Sequence, residues 1–159
     1  MNKMLKIDNW SKRKQAMFQH VEASAGDRAR WIGTNLYYHR RDVAYLNFVL
    51  SKDCSVLDIG CGNGWLLSQL NAKVKCGIDL SPSMVDVAKK TCPEATVIQA
   101  DIESRLDLKK IRALGLVDYI ILSDTLAFLD DIELGLSHVR KLCGPSTRVI
   151  LSRYNQLWE

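Results

Sequence analysis

Four aspartates stand at or just beyond the ends of short apolar runs in this chain: Asp58, Asp79, Asp101 and Asp124. A carboxylate is an acceptor-only group suited to hydroxyls, amines and cations. Gathered on one rim, four of them would repel one another, so they fit a ligand carrying positive charge and hydroxyls better than one carrying phosphates. The first lies within Val56-Leu57-Asp58-Ile59-Gly60-Cys61-Gly62-Asn63-Gly64, an apolar strand running into a glycine-rich turn. Glycine admits the left-handed and crowded conformations that let a main chain pass close to a ligand. Any one of these aspartates also suits a helix cap or a turn. Their joint placement is the more informative observation.

The elements that must position these residues are legible from residue 55 onward. Near-continuous apolar runs, suited to strands covered on both faces, occur at Ser55–Ile59, Val74–Asp79, Thr96–Ala100, Val117–Leu122 and Thr147–Leu151. Helical stretches separate them at Trp65–Leu70, Pro82–Thr91, Asp107–Leu114 and Asp131–Leu142. Ser81-Pro82 is a helix start and Cys143-Gly144-Pro145 a stop. Strands alternating with helices imply right-handed crossovers and a parallel sheet, an α/β doubly wound fold whose ligands bind at the carboxyl edge. Before it, residues 1–50 read as a helical N-terminal cap, with helices at Ser11–Ala23 and Asp27–Leu50, the second interrupted near Gly33-Thr34-Asn35. The organisation is thus a cap, 1–50, on a Rossmann-like domain, 51–159, in one structural unit.

A dinucleotide site is the first alternative. Its fingerprint is Gly-x-Gly-x-x-Gly. Gly60 and Gly62 fit the first two positions, but Trp65 falls at the third and the next glycine is Gly64. An indole is a poor substitute where backbone must approach closely, which weakens the nicotinamide oxidoreductase reading.

Val56–Gly64 resembles the first motif of class I S-adenosylmethionine-dependent methyltransferases. Gly77-Ile78-Asp79-Leu80-Ser81-Pro82-Ser83-Met84 resembles their acidic second-strand motif, and Gln99-Ala100-Asp101-Ile102 the third-strand element. Asp118–Leu126 resembles the fourth-strand motif, with Leu142–Pro145 as the turn before the fifth strand. The resemblance covers about residues 50–155 in the expected order. It implies strand order 3-2-1-4-5, S-adenosylmethionine as cofactor, and a set of contacts. Gly60, Cys61, Gly62 and Gly64 would flank the methionine portion, with Asp58 supporting that loop and favouring the ammonium. Asp79 would accept from both ribose hydroxyls. Leu80, Met84 and Ile102 would pack on the adenine, and Asp101 would accept from its exocyclic amine. Ser123 would lie near the sulfonium. Met84 and Ile102 also suit plain core positions.

The reaction so implied is methyl transfer from a sulfonium, largely a matter of alignment. A general base is needed only for a poorly nucleophilic acceptor, and the candidates are His39, Asp124 and His138, of which His138 reads as structural. The Tyr37-Tyr38-His39-Arg40 cluster suits either a cap over the site or ordinary helix packing. No catalytic residue is assigned.

The family pattern ends in an antiparallel hairpin of two further strands, and this chain reaches Glu159 soon after its fifth. That leaves an expected open edge on the fifth strand, suited to homodimer pairing. It also raises a further alternative, a non-catalytic cofactor-binding or partner-interaction domain. Arg30–His39 and the closing Tyr154–Glu159 resemble methyltransferase domains associated with bacterial glycosyltransferases, which would point to a saccharide or lipid-linked small acceptor.

Composition adds limits. The chain has 159 residues, 47% hydrophobic and 25% charged, ordinary for one globular domain. No apolar run approaches the roughly 18 residues of a membrane span, and Met1–Trp10 carries no apolar segment of the kind a secretory signal needs. Cys54, Cys61, Cys76, Cys92 and Cys143 form no Cys-x-x-Cys pair, so no metal site is expected and a reducing, cytoplasmic location is. The basic residues Lys3, Lys6, Lys12, Arg13, Lys14, Arg28, Arg30, Arg40 and Arg41 suit a solvated helix face, with RNA or anionic lipid as the alternative. No nucleic-acid module is recognisable, and a small-molecule acceptor is the expected partner.

Overall fold

In the computed structural model, residues 10–153 are described. The closing Tyr154–Glu159, which carries part of the second resemblance above, lies outside them.

Five parallel strands form one sheet in the order β3-β2-β1-β4-β5: β1 Ser55–Ile59, β2 Val74–Asp79, β3 Thr96–Gln99, β4 Tyr119–Ser123 and β5 Arg148–Ser152. The cap contributes α1 Lys12–Ser24, α2 Arg28–Thr34 and α3 Leu36–Val49; α4 Trp65–Gln69, α5 Pro82–Thr91, α6 Arg105–Arg112 and α7 Ile132–Leu142 are the crossovers. The expected order and architecture are therefore present. The second cap helix is divided at Asn35, within the expected interruption.

Side chains alternate across the sheet with the strand period of two. On one face Leu57, Ile59, Ile78, Ile120 and Leu122 pack toward α6 and α7. On the other Val56, Val97, Tyr119 and Ile121 meet α3, α4 and α5. Burial on both faces accounts for the unbroken apolar runs of β1 and β4, whereas β5, expected to be covered on both faces, leaves Val149 and Leu151 exposed.

Local chemistry sets the boundaries. Ser81 caps α5 by accepting from the Met84 N–H, with Pro82 in the first turn. Ser104 does the same for α6 through the Asp107 N–H, which starts that helix two residues before the expected Asp107. Strand β4 starts at Tyr119, two residues after the expected Val117, with Asp118 just before it. Its carboxylate accepts from the Ser55 N–H at 2.8 Å and the Ser55 hydroxyl at 2.7 Å, clasping the amino ends of β1 and β4 together. After β4 the chain makes a 3-10 turn, Leu126–Phe128, that no local sequence pattern marks.

Candidate functional site

The carboxyl ends of β1, β2 and β4, with the segment after β3, converge on one rim. Gly60 and Gly64 show why glycine is required there. Both have left-handed backbone, at φ +77° and +76°. A Cβ on Gly64 would come within 2.9 Å of the Ala88 main chain in α5, and one on Gly60 within 2.6 Å of the Thr125 hydroxyl. The close helix approach assigned to the third glycine of a dinucleotide fingerprint is thus made one residue early. This leaves Trp65 to begin α4 and turn its ring toward His39, 5.6 Å between centroids.

Asp79 ends β2 half-buried. One oxygen accepts from the Gly62 N–H at 2.8 Å and the other from the Ser81 N–H at 2.9 Å. The carboxylate therefore braces the glycine turn against the start of α5. Each oxygen retains a further lone pair for a diol. Burial raises its pKa, with these N–H donors opposing.

Asp58 is 2% exposed, and among the described residues no donor lies within hydrogen-bonding reach of its carboxylate. Burial, reinforced by the charge of Asp79, pushes its pKa up to about 7. A buried carboxylate without a donor is costly and suits an incoming cation.

Two adjoining cavities open along the rim, and both are lined by Arg28, Gly60, Gly62, Ser123 and Asp124. The larger, about 210 Å³, lies between α1 and the sheet edge, with Met17, Phe18 and Val21 on the cap side and Ile78, Leu80 and Met84 opposite. Asp101 and Ile102 also line it. Met84 and Ile102 are each 4% exposed, so they are core residues as well as wall. The Asp101 carboxylate accepts from the Glu103 N–H at 2.9 Å and from the Lys14 ammonium at 2.8 Å. Lys14 also reaches Glu103 at 2.6 Å.

The smaller cavity, about 70 Å³, is lined by Arg28, His39, Asp42, Asp58, Trp65 and Asp124 among others, and by Cys61. Asp124 has a left-handed φ of 54°, an uncommon conformation for a residue with a side chain. Its carboxylate accepts from the Tyr38 hydroxyl at 3.1 Å. Burial and the facing carboxylates of Asp124 and Asp42 raise the Tyr38 pKa. Burial lowers the His39 pKa, with the charge of Arg28 adding to the effect, and its Nε2 is buried with no hydrogen-bond partner. Arg28 stacks on Trp31, 4.4 Å from ring centre to guanidinium carbon. Ser123 lies at the junction, its hydroxyl accepting from Ser152 in β5 at 3.0 Å.

Of the positions expected from sequence, Gly60, Gly62, Asp79, Leu80, Met84, Asp101, Ile102 and Ser123 line the larger cavity. Asp58 and Cys61 line only the smaller one, and Gly64 acts behind the wall, through packing. His138 is fully buried in α7, where Nδ1–H donates to the Ile102 carbonyl at 2.7 Å, the structural role expected of it. The residues that sequence reading misses come from the cap. Lys14, expected on a solvated basic face, is instead 6% exposed and paired with two carboxylates. Glu22 accepts from the hydroxyls of Ser81 and Ser83 at the start of α5. Arg28 lines both cavities. The basic and acidic character of these residues is visible in the sequence; the partners of Lys14 and Glu22, 59 to 89 residues away, are not.

A carboxyl-edge crevice on a 3-2-1-4-5 sheet, with acidic strand ends and a glycine turn, defines a Rossmann-like nucleoside-binding class. Residues 50–159 match a methyltransferase domain family, and the chain belongs to that family. A malonyl-[acyl-carrier protein] O-methyltransferase of Halalkalibacterium halodurans is 29% identical over 107 residues, covering 63% of this chain. The chain spans 39% of the length of that curated relative. Among solved structures, the N-methyltransferase NodS of Bradyrhizobium japonicum, in complex with S-adenosyl-L-homocysteine, superposes with a TM-score of 0.69 at 18% identity over 85% of this chain and 71% of that one. The magnesium protoporphyrin IX methyltransferase of Synechocystis, with bound S-adenosylmethionine, gives 0.68 at 20% identity over 94% and 83%. A Thermotoga maritima methyltransferase, described as a possible histamine N-methyltransferase, gives 0.68 at 21% over 85% and 60%. These likenesses establish the fold.

Proposed function

We propose that this chain binds S-adenosylmethionine across the two adjoining cavities and transfers its methyl group to a small-molecule acceptor. The observation that carries this reading is the distribution of charge along the rim. The smaller cavity combines the Asp58 carboxylate, which lacks a donor, with the Arg28 guanidinium, a pairing that suits the two charges of an α-amino acid. Asp79 follows as a diol acceptor. Beyond it lies an apolar slot between α1 and Leu80, Met84 and Ile102, suited to a flat heterocycle, with Asp101 also lining it. Bound there, the cofactor supplies an electrophilic methyl group on a sulfonium. Gly60 and Gly62 bring main chain to its methionine side, and Ser123 stands where the two cavities meet.

Asp124 and His39 are the residues placed to take a proton from a hydroxyl or ammonium acceptor. Asp124 is set by Tyr38 at the cavity junction, and burial keeps the His39 ring in its neutral, proton-accepting form. The cap, residues 1–50, acts with the sheet domain as one unit. The free cysteines Cys54, Cys61, Cys76, Cys92 and Cys143 support a cytoplasmic setting, and no helix among the described residues is long and apolar enough to cross a membrane. Strand β5, with Val149 and Leu151 exposed, offers an edge for a homodimer.

Titration calorimetry with S-adenosylhomocysteine and with 5′-methylthioadenosine, which lacks the amino acid, tests the binding reading. Both should bind the wild-type chain. Arg28→Ala should weaken S-adenosylhomocysteine by roughly tenfold, the worth of a hydrogen bond to a charged group, and 5′-methylthioadenosine by clearly less. If neither binds wild type, the cofactor assignment fails; if both weaken equally, only the Arg28 role fails. Methyl transfer to a panel of amine, hydroxyl and carboxylate acceptors then tests catalysis.

A further inference from the structure

Helix α3 has two faces, and the site uses only one. Its inner face carries Tyr38, His39, Asp42 and Leu46 toward the smaller cavity and the core. Its outer face carries Tyr37, Arg41, Tyr45 and Phe48, spaced by four, four and three residues and so aligned in one stripe. Such a stripe is normally polar. Here Tyr37 is 82%, Tyr45 63% and Phe48 86% exposed.

Three aromatic side chains at these exposures present on the order of 400–500 Å² of surface along one stripe, with Arg41 between Tyr37 and Tyr45. The stripe runs about 16 Å along the helix axis. Arg40 and Arg41 are exposed on and beside it, while the one acidic residue of α3, Asp42, faces inward. Lys52 and Asp53, just beyond the helix, offset one another. Hydrogen bonds from Asn47 to the Gln69 carbonyl, and from the Asn71 N–H to Asn47, fix α3 to the end of α4, so the stripe is presented on a rigid element.

The geometry points to an anionic lipid surface as the partner of this face. Protruding tyrosine and phenylalanine rings on a helix ridge, flanked by arginines, match a helix lying in the membrane interface with its rings at headgroup level. Single-stranded nucleic acid is instead received in a groove with rings lying along the strand, and side chains this exposed form a ridge. The arginines meet lipid phosphates while the rings enter the headgroup boundary. Docked this way, the chain holds the smaller cavity on the membrane-proximal helix.

Cosedimentation of the full chain with phosphatidylcholine vesicles, with and without phosphatidylglycerol, is the test. Wild type should partition several-fold more strongly onto the anionic vesicles, and added salt should weaken it. Tyr37→Ser/Phe48→Ser should lower partition roughly tenfold or more, the effect of losing ring burial. Arg40→Gln/Arg41→Gln should remove the preference for anionic lipid. Thermal unfolding followed by circular dichroism checks that both variants fold; the arginine pair and the salt dependence give a readout independent of the aromatic variant. The inference is overturned if wild type binds both vesicles equally, or if the folded aromatic variant binds as wild type does. It is also overturned if that variant instead dissolves a dimer on size exclusion, which would make the stripe a self-interface. Capture of a single-stranded RNA in preference to the anionic vesicles, lost in the aromatic variant, overturns it as well.

Discussion

The sheet half and the cap half of the site are built by different means. Strand ends deliver Asp58, Asp79 and Ser123, and their positions follow from main-chain geometry: register, parallel pairing and the glycine turn. The cap delivers Lys14 and Glu22 on side chains that reach partners far along the chain, and Arg28 on one that lines both cavities. A group fixed by backbone is set by the fold as a whole. A group fixed by a long side chain is set by one or two bonds, and can be altered without disturbing the sheet. The contrast separates what holds the site together from what tunes it.

The sharpest way to break the sheet half is Gly64→Val. Left-handed backbone plus a clash with the Ala88 main chain should cost about 3–5 kcal/mol by combined strain and overpacking, read as a collapse of the denaturation midpoint. If the variant unfolds like wild type, the close approach of the Gly64 turn to α5 is wrong. Breaking the cap half is expected to cost less. Lys14→Ala strands Asp101 and Glu103 together and should cost roughly 3 kcal/mol; Lys14→Ala/Asp101→Asn should recover part of it. Asp79→Ala takes the acceptor from the Gly62 and Ser81 N–H groups and should lower stability as well; in calorimetry on the folded variant it should weaken S-adenosylhomocysteine by about 1.5–3 kcal/mol. Unchanged affinity would remove the ribose assignment.

The remaining effect is a pH slope. Folded Asp58 keeps its proton up to about pH 7, while the unfolded chain releases it near about pH 4. The folded state therefore binds more protons across that window, and the stability of the ligand-free chain falls as pH rises through it. Asp79 and Asp42, also raised by burial, tilt it the same way. Asp58→Asn should flatten the slope in thermal melts. Because an ammonium favours the ionised carboxylate, S-adenosylhomocysteine should bind wild type more tightly as pH approaches 7 and level off above it; a flat profile would detach Asp58 from the ligand.

The same division explains what is legible in the sequence. Strand-end residues sit inside local patterns: an apolar run, an aspartate, then a glycine turn or a capped helix. Val74–Asp79 and Pro82–Thr91 fall on the observed bounds because the apolar run, Ser81 and Pro82 all agree. The binding of Asp118 to Ser55, across 63 residues, has no local mark in the sequence. Lys14 departs from expectation for the same reason. A lysine on a helix that begins Lys12-Arg13-Lys14 looks solvated until its two acceptors, 87 and 89 residues on, are brought beneath it.

The clasp between Ser55 and Asp118 has a consequence for variation along the two central strands. At that amino end, Asp118 accepts both donors of Ser55 at the edge opposite the cavities, so a substitution there lowers the amount of folded protein and leaves each surviving molecule able to bind. At the carboxyl end of the same strands, Asp58→Asn replaces a carboxyl group whose ionisation burial opposes, which should relieve the fold, while taking away the group proposed to meet the ligand's ammonium. A library of variants scored twice, once for abundance and once for ligand capture, would rank the two ends of β1 in opposite order, within a strand of only five residues.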